Sequence, residues 1–180
     1  MNKKPRKVPK KITGSYLENA ALYYLQRYAS STENFRRVMM RKIERSCRHH
    51  GDTAADFAPV VEDLIARYVA TGLLNDETFA RARAATLRRQ GRSRQAIQAK
   101  MAAKGLPPAA IAAALATVDE DAPDAELHAA QKLAQKKKLG PWRTRPVTDP
   151  KDLQKEMAAM ARAGFSYDIA RRVLETPDTE

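Results

Sequence analysis

Arginine side chains recur with helical spacing near the start of this 180-residue chain. Four of them stand at positions i, i+4, i+8 and i+11 of one segment: Arg37, Arg41, Arg45 and Arg48. At about 1.5 Å of rise per residue they would form a stripe about 16 Å long on one side of a helix. A guanidinium group is planar and can donate two parallel hydrogen bonds to phosphate or carboxylate. The spacing therefore predicts contact with nucleic-acid phosphates or with an acidic groove of a protein.

A second basic cluster lies further along the chain, where residues 76–104 contain eight basic and two acidic side chains. Its candidate contacts are Arg81, Arg88, Arg89, Arg92 and Arg94. The first two are seven residues apart on one predicted helix face, and the others gather where the chain turns around Gly91. For both clusters the alternative is a solvated surface that makes weak local ion pairs. We favour function for the stripe, because its arginines occur as a regular set, and take the cluster as the second candidate contact.

The histidines and the single cysteine do not have the spacing that catalysis or metal binding would need. His49 and His50 are adjacent, so on a helix they point about 100° apart and cannot share a metal as an i, i+4 pair would. His128 has no cysteine or carboxylate at ligand spacing, and Cys47 continues an apolar helix face without an orienting base. The sequence also lacks a glycine-rich loop of the kind that binds phosphate groups. We therefore predict a protein that is not an enzyme, with no catalytic residue, metal or cofactor.

Four tyrosines precede the arginine stripe: Tyr16, Tyr23, Tyr24 and Tyr28. Aromatic rings beside basic residues can stack on unpaired bases. Helical periodicity offers a plainer interpretation, because Tyr16, Tyr24 and Tyr28 can share one packing face with nearby apolar residues. We favour packing over base stacking.

The formal net charge of +12 is concentrated at the N-terminus. Residues 1–50 contain 13 basic and 3 acidic side chains, whereas residues 51–180 contain 20 and 18. Such an excess attracts polyanions, although solubility alone could also explain it. The single cysteine indicates a reducing cytosol, and no segment is apolar enough for a signal peptide or a membrane span. We expect a cytoplasmic protein with no membrane association, a disordered basic arm at residues 1–14 and an acidic tail at 176–180.

Apolar spacing between glycines predicts an all-α fold. Ser31 and Ser93 are predicted helix caps, and Pro107 and Pro108 suit a first helical turn. The predicted helices lie near residues 16–29, 32–50, 58–71, 76–90, 94–104, 108–118, 124–139, 151–163 and 167–175.

One pattern occurs twice: Met101 and Met160 each lie four residues before a glycine, which is followed by an apolar residue and, ten residues after the glycine, by a leucine. The repetition predicts three tandem three-helix repeats in an elongated, curved array, namely repeat 1 at 15–75, repeat 2 at 76–120 and repeat 3 at 121–175. Repeat 3 includes a proline-rich loop at 140–150, where Trp142 can serve as an anchor. An array with polar ends has no obligatory self-contact, so we expect a monomer.

Several motifs resemble those of the RecX family. They are Gly72-Leu-Leu-Asn-Asp76-Glu-Thr-Phe79-Ala80, Gln90-Gly91-Arg92-Ser93-Arg94 and Ala163-Gly-Phe-Ser-Tyr-Asp-Ile-Ala170. The resemblance implies a regulator of the RecA recombinase, mainly an inhibitor, that lies in the groove of the RecA–DNA filament and restrains its growth. It further implies a role in DNA recombination, DNA repair and the SOS response, with RecA and single- or double-stranded DNA as partners.

The alternative is a general DNA-binding helical-repeat protein that acts without RecA, for which a steep salt dependence of DNA binding would be the signature. A helical enzyme would need a cleft with convergent polar groups, and the sequence contains no such set.

Overall fold

The computed structural model describes residues 8–120, 122–144 and 149–175. In these ranges the regular secondary structure consists of helices, without a strand, which confirms the predicted all-α fold. The α-helices are α1 Gly14–Leu25, α2 Thr32–His50, α3 Ala58–Ala70, α4 Asp76–Arg89, α5 Arg94–Ala102, α6 Pro108–Asp119, α7 Ala125–Lys137, α8 Pro150–Arg162 and α9 Tyr167–Glu175. Two short 3₁₀ helices, Ala54–Phe57 and Gly140–Trp142, were not predicted.

The helix starts follow the capping residues. Ser31 Oγ accepts a hydrogen bond from the Asn34 backbone N at 3.2 Å, and Ser93 Oγ accepts one from Ala96 N at 3.1 Å. Each hydroxyl satisfies a backbone donor that has no partner inside its helix. Pro108 is the first residue of α6, as predicted.

Helix α1 ends earlier than predicted, at Leu25 instead of residue 29. The chain turns at residues 26–30 because a polar cluster forms there: Asn34 Nδ2 donates to Ser30 Oγ at 2.7 Å and to the Tyr24 hydroxyl at 3.0 Å. Ser30 is buried by this arrangement. Tyr28 consequently lies in the turn and is 58% exposed, so the prediction that it belongs to the packing face is wrong.

The chain divides into two compact units, Met1–Phe79 and Ala80–Glu180. In the N-terminal unit, α2 buries one face against α1 and α3, and Phe35 packs edge-on against Tyr68 with ring centroids 5.9 Å apart. The apolar face of α2 consists of Phe35, Met39, Ile43 and Cys47. Residues four apart lie above one another on a helix, so this spacing places all four in one core.

Part of the predicted basic arm is packed against this core. Ile12 is only 4% exposed, and Ser46 Oγ donates to the Lys10 carbonyl at 2.7 Å. Thr13 then caps α1 by accepting from Tyr16 N. The expectation of disorder over residues 1–14 is therefore corrected for residues 8–13, because burial of the isoleucine anchors them. Residues 1–7 and the expected acidic tail lie outside the described residues.

In the C-terminal unit α5 packs on α6, and α7, α8 and α9 surround a core that contains Met160, Phe165 and Leu174. Trp142 packs against this core, as expected of an anchor.

Residues 145–148 of the proline-rich loop and Asp121 lie outside the described residues. In the part of the chain that is described, no helix combines the length and apolar character needed to cross a bilayer.

Candidate functional site

The predicted arginine stripe lies on the exposed side of α2. Its members Arg37, Arg41, Arg45 and Arg48 are all exposed, whereas the apolar face of the helix is buried. Arg37 Nε donates to Glu33 at 2.9 Å, and Arg41 Nε donates to the Arg37 carbonyl at 3.2 Å. Among the described residues, no carboxylate pairs with Arg41, Arg45 or Arg48. The middle and end of the stripe can therefore accept an anionic partner without breaking an internal ion pair.

Arg36, next to the stripe in sequence, has a different role. Its guanidinium donates to both carboxylate oxygens of Glu62 on α3, at 2.6 and 2.9 Å, and also contacts Glu33. The hydrogen bond to Glu62 raises the pKa of Arg36 above its ordinary value, and the same bond lowers the pKa of Glu62. Arg36 thus joins α2 to α3 and supports the helix that presents the stripe.

The arginines of the second predicted cluster do not all lie on the surface. Arg88 is not available as a contact, because its side chain is only 9% exposed and bonds to Asp119 at 2.7 and 2.8 Å and to Glu126. Burial lowers its pKa, but the hydrogen bonds to these carboxylates outweigh that effect and raise it. Arg88 is therefore corrected to a structural residue that joins α4, α6 and α7.

Arg94 belongs partly to the same ion-pair group. Its backbone N donates to both oxygens of Glu126, at 3.0 and 3.1 Å, so that this carboxylate caps the start of α5. Its guanidinium lies 3.5 Å from Asp119 but is half exposed. The other three arginines of the cluster are exposed on the surface: Arg81, Arg89 and Arg92.

Sequence reasoning missed an aromatic and cationic cleft between α1 and α2, here called the tyrosine cleft, with a volume of about 440 Å³. Its polar and aromatic lining consists of Tyr23, Tyr24, Tyr28, Arg41, Lys42 and Arg45. Assigning Tyr28 to the packing face hid this site. The adjacent serines Ser30 and Ser31, which end α1 early and cap α2, were the signal that could have placed Tyr28 in a turn.

The structure places the histidines and the cysteine in different surroundings. His49 and His50 stack edge to face with centroids 4.8 Å apart, and His50 Nε2 lies 2.9 Å from the Pro9 carbonyl oxygen. His128 is exposed. Cys47 lies in the core as predicted, and burial raises the pKa of its thiol, which disfavours a nucleophilic thiolate. The described residues contain no group of three or more metal-ligating side chains.

Two protein-family models match the chain. Residues 75–115 match the model described as "RecX, second three-helix domain", and residues 124–174 match "RecX, third three-helix domain". The tandem three-helix organisation is therefore supported independently of the internal sequence repeat.

Two relatives extend the similarity to most of the chain. A protein from Myxococcus xanthus named "Regulatory protein RecX" is 42% identical over 170 residues, which cover 94% of this chain and 90% of that protein. A protein of the same name from Agrobacterium fabrum is 29% identical and covers 89% of this chain and 82% of its own length. Both names describe regulatory proteins.

The fold agrees with solved structures. RecX from Lactobacillus salivarius superimposes with a TM-score of 0.65 at 19% identity, covering 90% of this chain and 94% of that one. A second structure, described as regulatory protein RecX, gives 0.64 at 17% identity, with coverages of 91% and 72%. On the family models, the sequence identity and the shared fold, the chain belongs to the RecX family of regulatory proteins.

Proposed function

We propose that this protein regulates the RecA recombinase, mainly as an inhibitor, by binding in the groove of the RecA–DNA filament. The observation that carries the proposal is the arginine stripe on α2, which is exposed, regularly spaced and backed by a buried apolar face. Membership of a family named as regulatory supports a regulatory role, and the resemblance to RecX proteins implies RecA as the partner. The expected consequences are modulation of DNA recombination, DNA repair and the SOS response in the cytoplasm.

The proposed mechanism is restraint without bond chemistry. Arginine donates strong, charge-assisted hydrogen bonds to carboxylate or phosphate, and contacts to neighbouring filament subunits would act together. A filament would then be bound far more tightly than a RecA monomer. We propose that the stripe and the exposed arginines Arg81, Arg89, Arg92 and Arg94 provide these contacts, within three-helix repeats bounded as predicted from the sequence.

The direct test is the ATPase of RecA on single-stranded DNA, titrated with this protein. We expect inhibition at well below one molecule per RecA subunit, and weaker inhibition when Arg37, Arg41, Arg45 and Arg48 are all changed to alanine. The matched control replaces Lys136, Lys137, Lys151 and Arg162 with alanine, which removes the same charge from exposed positions outside the proposed contacts. Equally weakened inhibition in both variants would mean that only net charge matters.

A second candidate function is DNA binding without RecA. The cations Arg41, Arg45 and Arg48 and the tyrosine cleft favour it, because both suit a nucleic-acid strand. Absence of ATPase inhibition together with tight, salt-sensitive binding to bare DNA would select this function over the first.

A further inference from the structure

The tyrosine cleft combines aromatic and basic side chains from two elements. Helix α1 and the turn after it contribute Tyr23, Tyr24 and Tyr28, while α2 contributes Arg41, Lys42 and Arg45. Its volume of about 440 Å³ falls in the range of small-molecule sites. The buried Met39 forms part of its apolar lining.

Two of the tyrosines contribute little to the core. Tyr23 is 55% exposed and Tyr28 is 58% exposed, although both rings are large and apolar. Tyr24 is held in place by the hydrogen bond from Asn34, and its ring centroid lies 5.3 Å from that of Tyr28. The Tyr28 ring is thus oriented by a fixed neighbour while more than half of the residue remains open to a planar ligand.

The cations of the cleft supply the complementary charge. Lys42 Nζ lies 5.2 Å above the Tyr16 ring, and Arg41 bonds only to a backbone carbonyl among the described residues. No described carboxylate neutralises Arg41, Lys42 or Arg45. Three cations beside exposed aromatic rings match a ligand that carries both an anionic group and a flat ring.

We propose that the tyrosine cleft binds an unpaired nucleotide of single-stranded DNA, with the base stacked on Tyr28 and the neighbouring phosphates held by Arg41 and Arg45. In a duplex the bases stack on one another, so an aromatic site of this kind selects an unpaired strand.

This inference rests on the proposed function, which includes a contact with DNA. It adds that the DNA is single-stranded and names the side chains that bind it. An acidic peptide would satisfy the cations but would gain little from the exposed tyrosine rings.

The test is fluorescence anisotropy of the full chain with labelled oligothymidylate of about 16 nucleotides, without RecA. Loss of one base–aromatic stack weakens binding by roughly five- to 150-fold, so Tyr28→Ala should do so while Tyr28→Phe retains most of the affinity. The matched control is Tyr167→Ala, because Tyr167 is 67% exposed and lies on α9, away from α1 and α2 in the sequence. Circular dichroism confirms that each variant is folded.

An abasic strand of the same length separates stacking from charge. We expect Tyr28→Ala to leave binding of the abasic strand unchanged, whereas Arg41→Ala should weaken both strands. Equal effects of Tyr28→Ala and Tyr167→Ala, or an equal effect of Tyr28→Ala on both strands, would overturn the proposal. Binding of a polyglutamate peptide with no binding of oligothymidylate would overturn it in favour of an acidic protein partner. RecA ATPase inhibition by Tyr28→Ala is measured separately, so that failure of the cleft and failure of the proposed function can be told apart.

Discussion

Arg88 donates to both carboxylate oxygens of Asp119, from Nε at 2.8 Å and from Nη2 at 2.7 Å. The two residues lie on α4 and α6, 31 positions apart, and only 9% and 18% of their side chains are exposed. Glu126 on α7 completes the group by contacting the same guanidinium and capping α5. A basic residue that the sequence predicted to be a surface contact thus joins three helices, and one of its partners caps a fourth.

Removing Arg88 should destabilise the protein, because Asp119 and Glu126 would remain partly buried with only the weaker contacts of Arg94. We expect Arg88→Ala to lower the free energy of unfolding by about 3 kcal/mol. Arg88→Lys should restore only part of this loss, because lysine cannot donate two parallel hydrogen bonds to one carboxylate. Urea unfolding followed by circular dichroism measures the change. Arg89→Ala, at the exposed neighbouring position, should change stability by less than about 0.5 kcal/mol. Equal effects of the alanine variants would contradict this role of Arg88.

Gly164 cannot carry a side chain without strain. Its φ of +86° is left-handed, and an added Cβ would lie 2.7 Å from Ser93 Oγ, which is itself bonded to the Ala163 carbonyl at 2.6 Å. Gly164→Ala should therefore lower the free energy of unfolding by about 3 kcal/mol. Gly51→Ala is the matched control, because Gly51 has a φ of +77° but open space around it, and it should cost only about 1 kcal/mol. If thermal unfolding showed that Gly164→Ala and Gly51→Ala destabilise the protein equally, the clash with Ser93 would be ruled out.

Acid should weaken the link between α2 and α3. The hydrogen bond from Arg36 lowers the pKa values of Glu62 and Glu33 in the folded protein. As the pH falls below about 4.5, these carboxylates therefore bind protons in the unfolded state before they do so in the folded state. Their contribution to the free energy of unfolding is lost as the pH approaches their pKa values in the folded protein. We expect the stability difference between the wild type and Arg36→Gln to shrink from pH 7 to pH 3 in urea unfolding. A constant difference would mean that the ion pairs do not contribute.

Cys47 should resist thiol reagents in the folded protein. The residue is 4% exposed, and burial raises the pKa of its thiol, so the reactive thiolate is scarce at neutral pH. Mass spectrometry after iodoacetamide treatment should detect little modification of native protein and complete modification in concentrated urea. Rapid labelling without denaturant would place Cys47 outside the core.

Salt dependence should report how many stripe arginines bind the phosphates of a DNA strand. For a single strand, each phosphate that a protein cation neutralises adds about 0.7 to the steepness of log K against log salt. The quadruple stripe variant should therefore show a slope shallower by nearly 3, if all four arginines bind phosphate. The control with Lys136, Lys137, Lys151 and Arg162 changed to alanine should retain the wild-type slope. A similar slope change in both variants would contradict a defined binding surface.

Much of the local structure could be predicted from local chemistry. Ser31 and Ser93 cap helices because a hydroxyl beside the first turn satisfies free backbone donors, whatever packs around it. Cys47 could be assigned to the core from its four-residue spacing with Ile43 and Met39. The end of α1 was missed because it depends on Asn34 reaching back to Ser30 and Tyr24, interactions that periodicity does not encode.

The sequence by itself determined the all-helical fold, the positions of most helix ends and the arginine stripe, because these follow from capping, helical period and spacing within a single segment. Only the tertiary structure decided which basic residues are free for a partner. Arg36 and Arg88 are instead held in ion pairs by Glu62, Asp119 and Glu126, which approach from other helices. It also decided that Tyr28 faces outward beside Arg41 and Arg45. Ion pairs and clefts depend on which helices meet, and that is a property of packing rather than of local sequence.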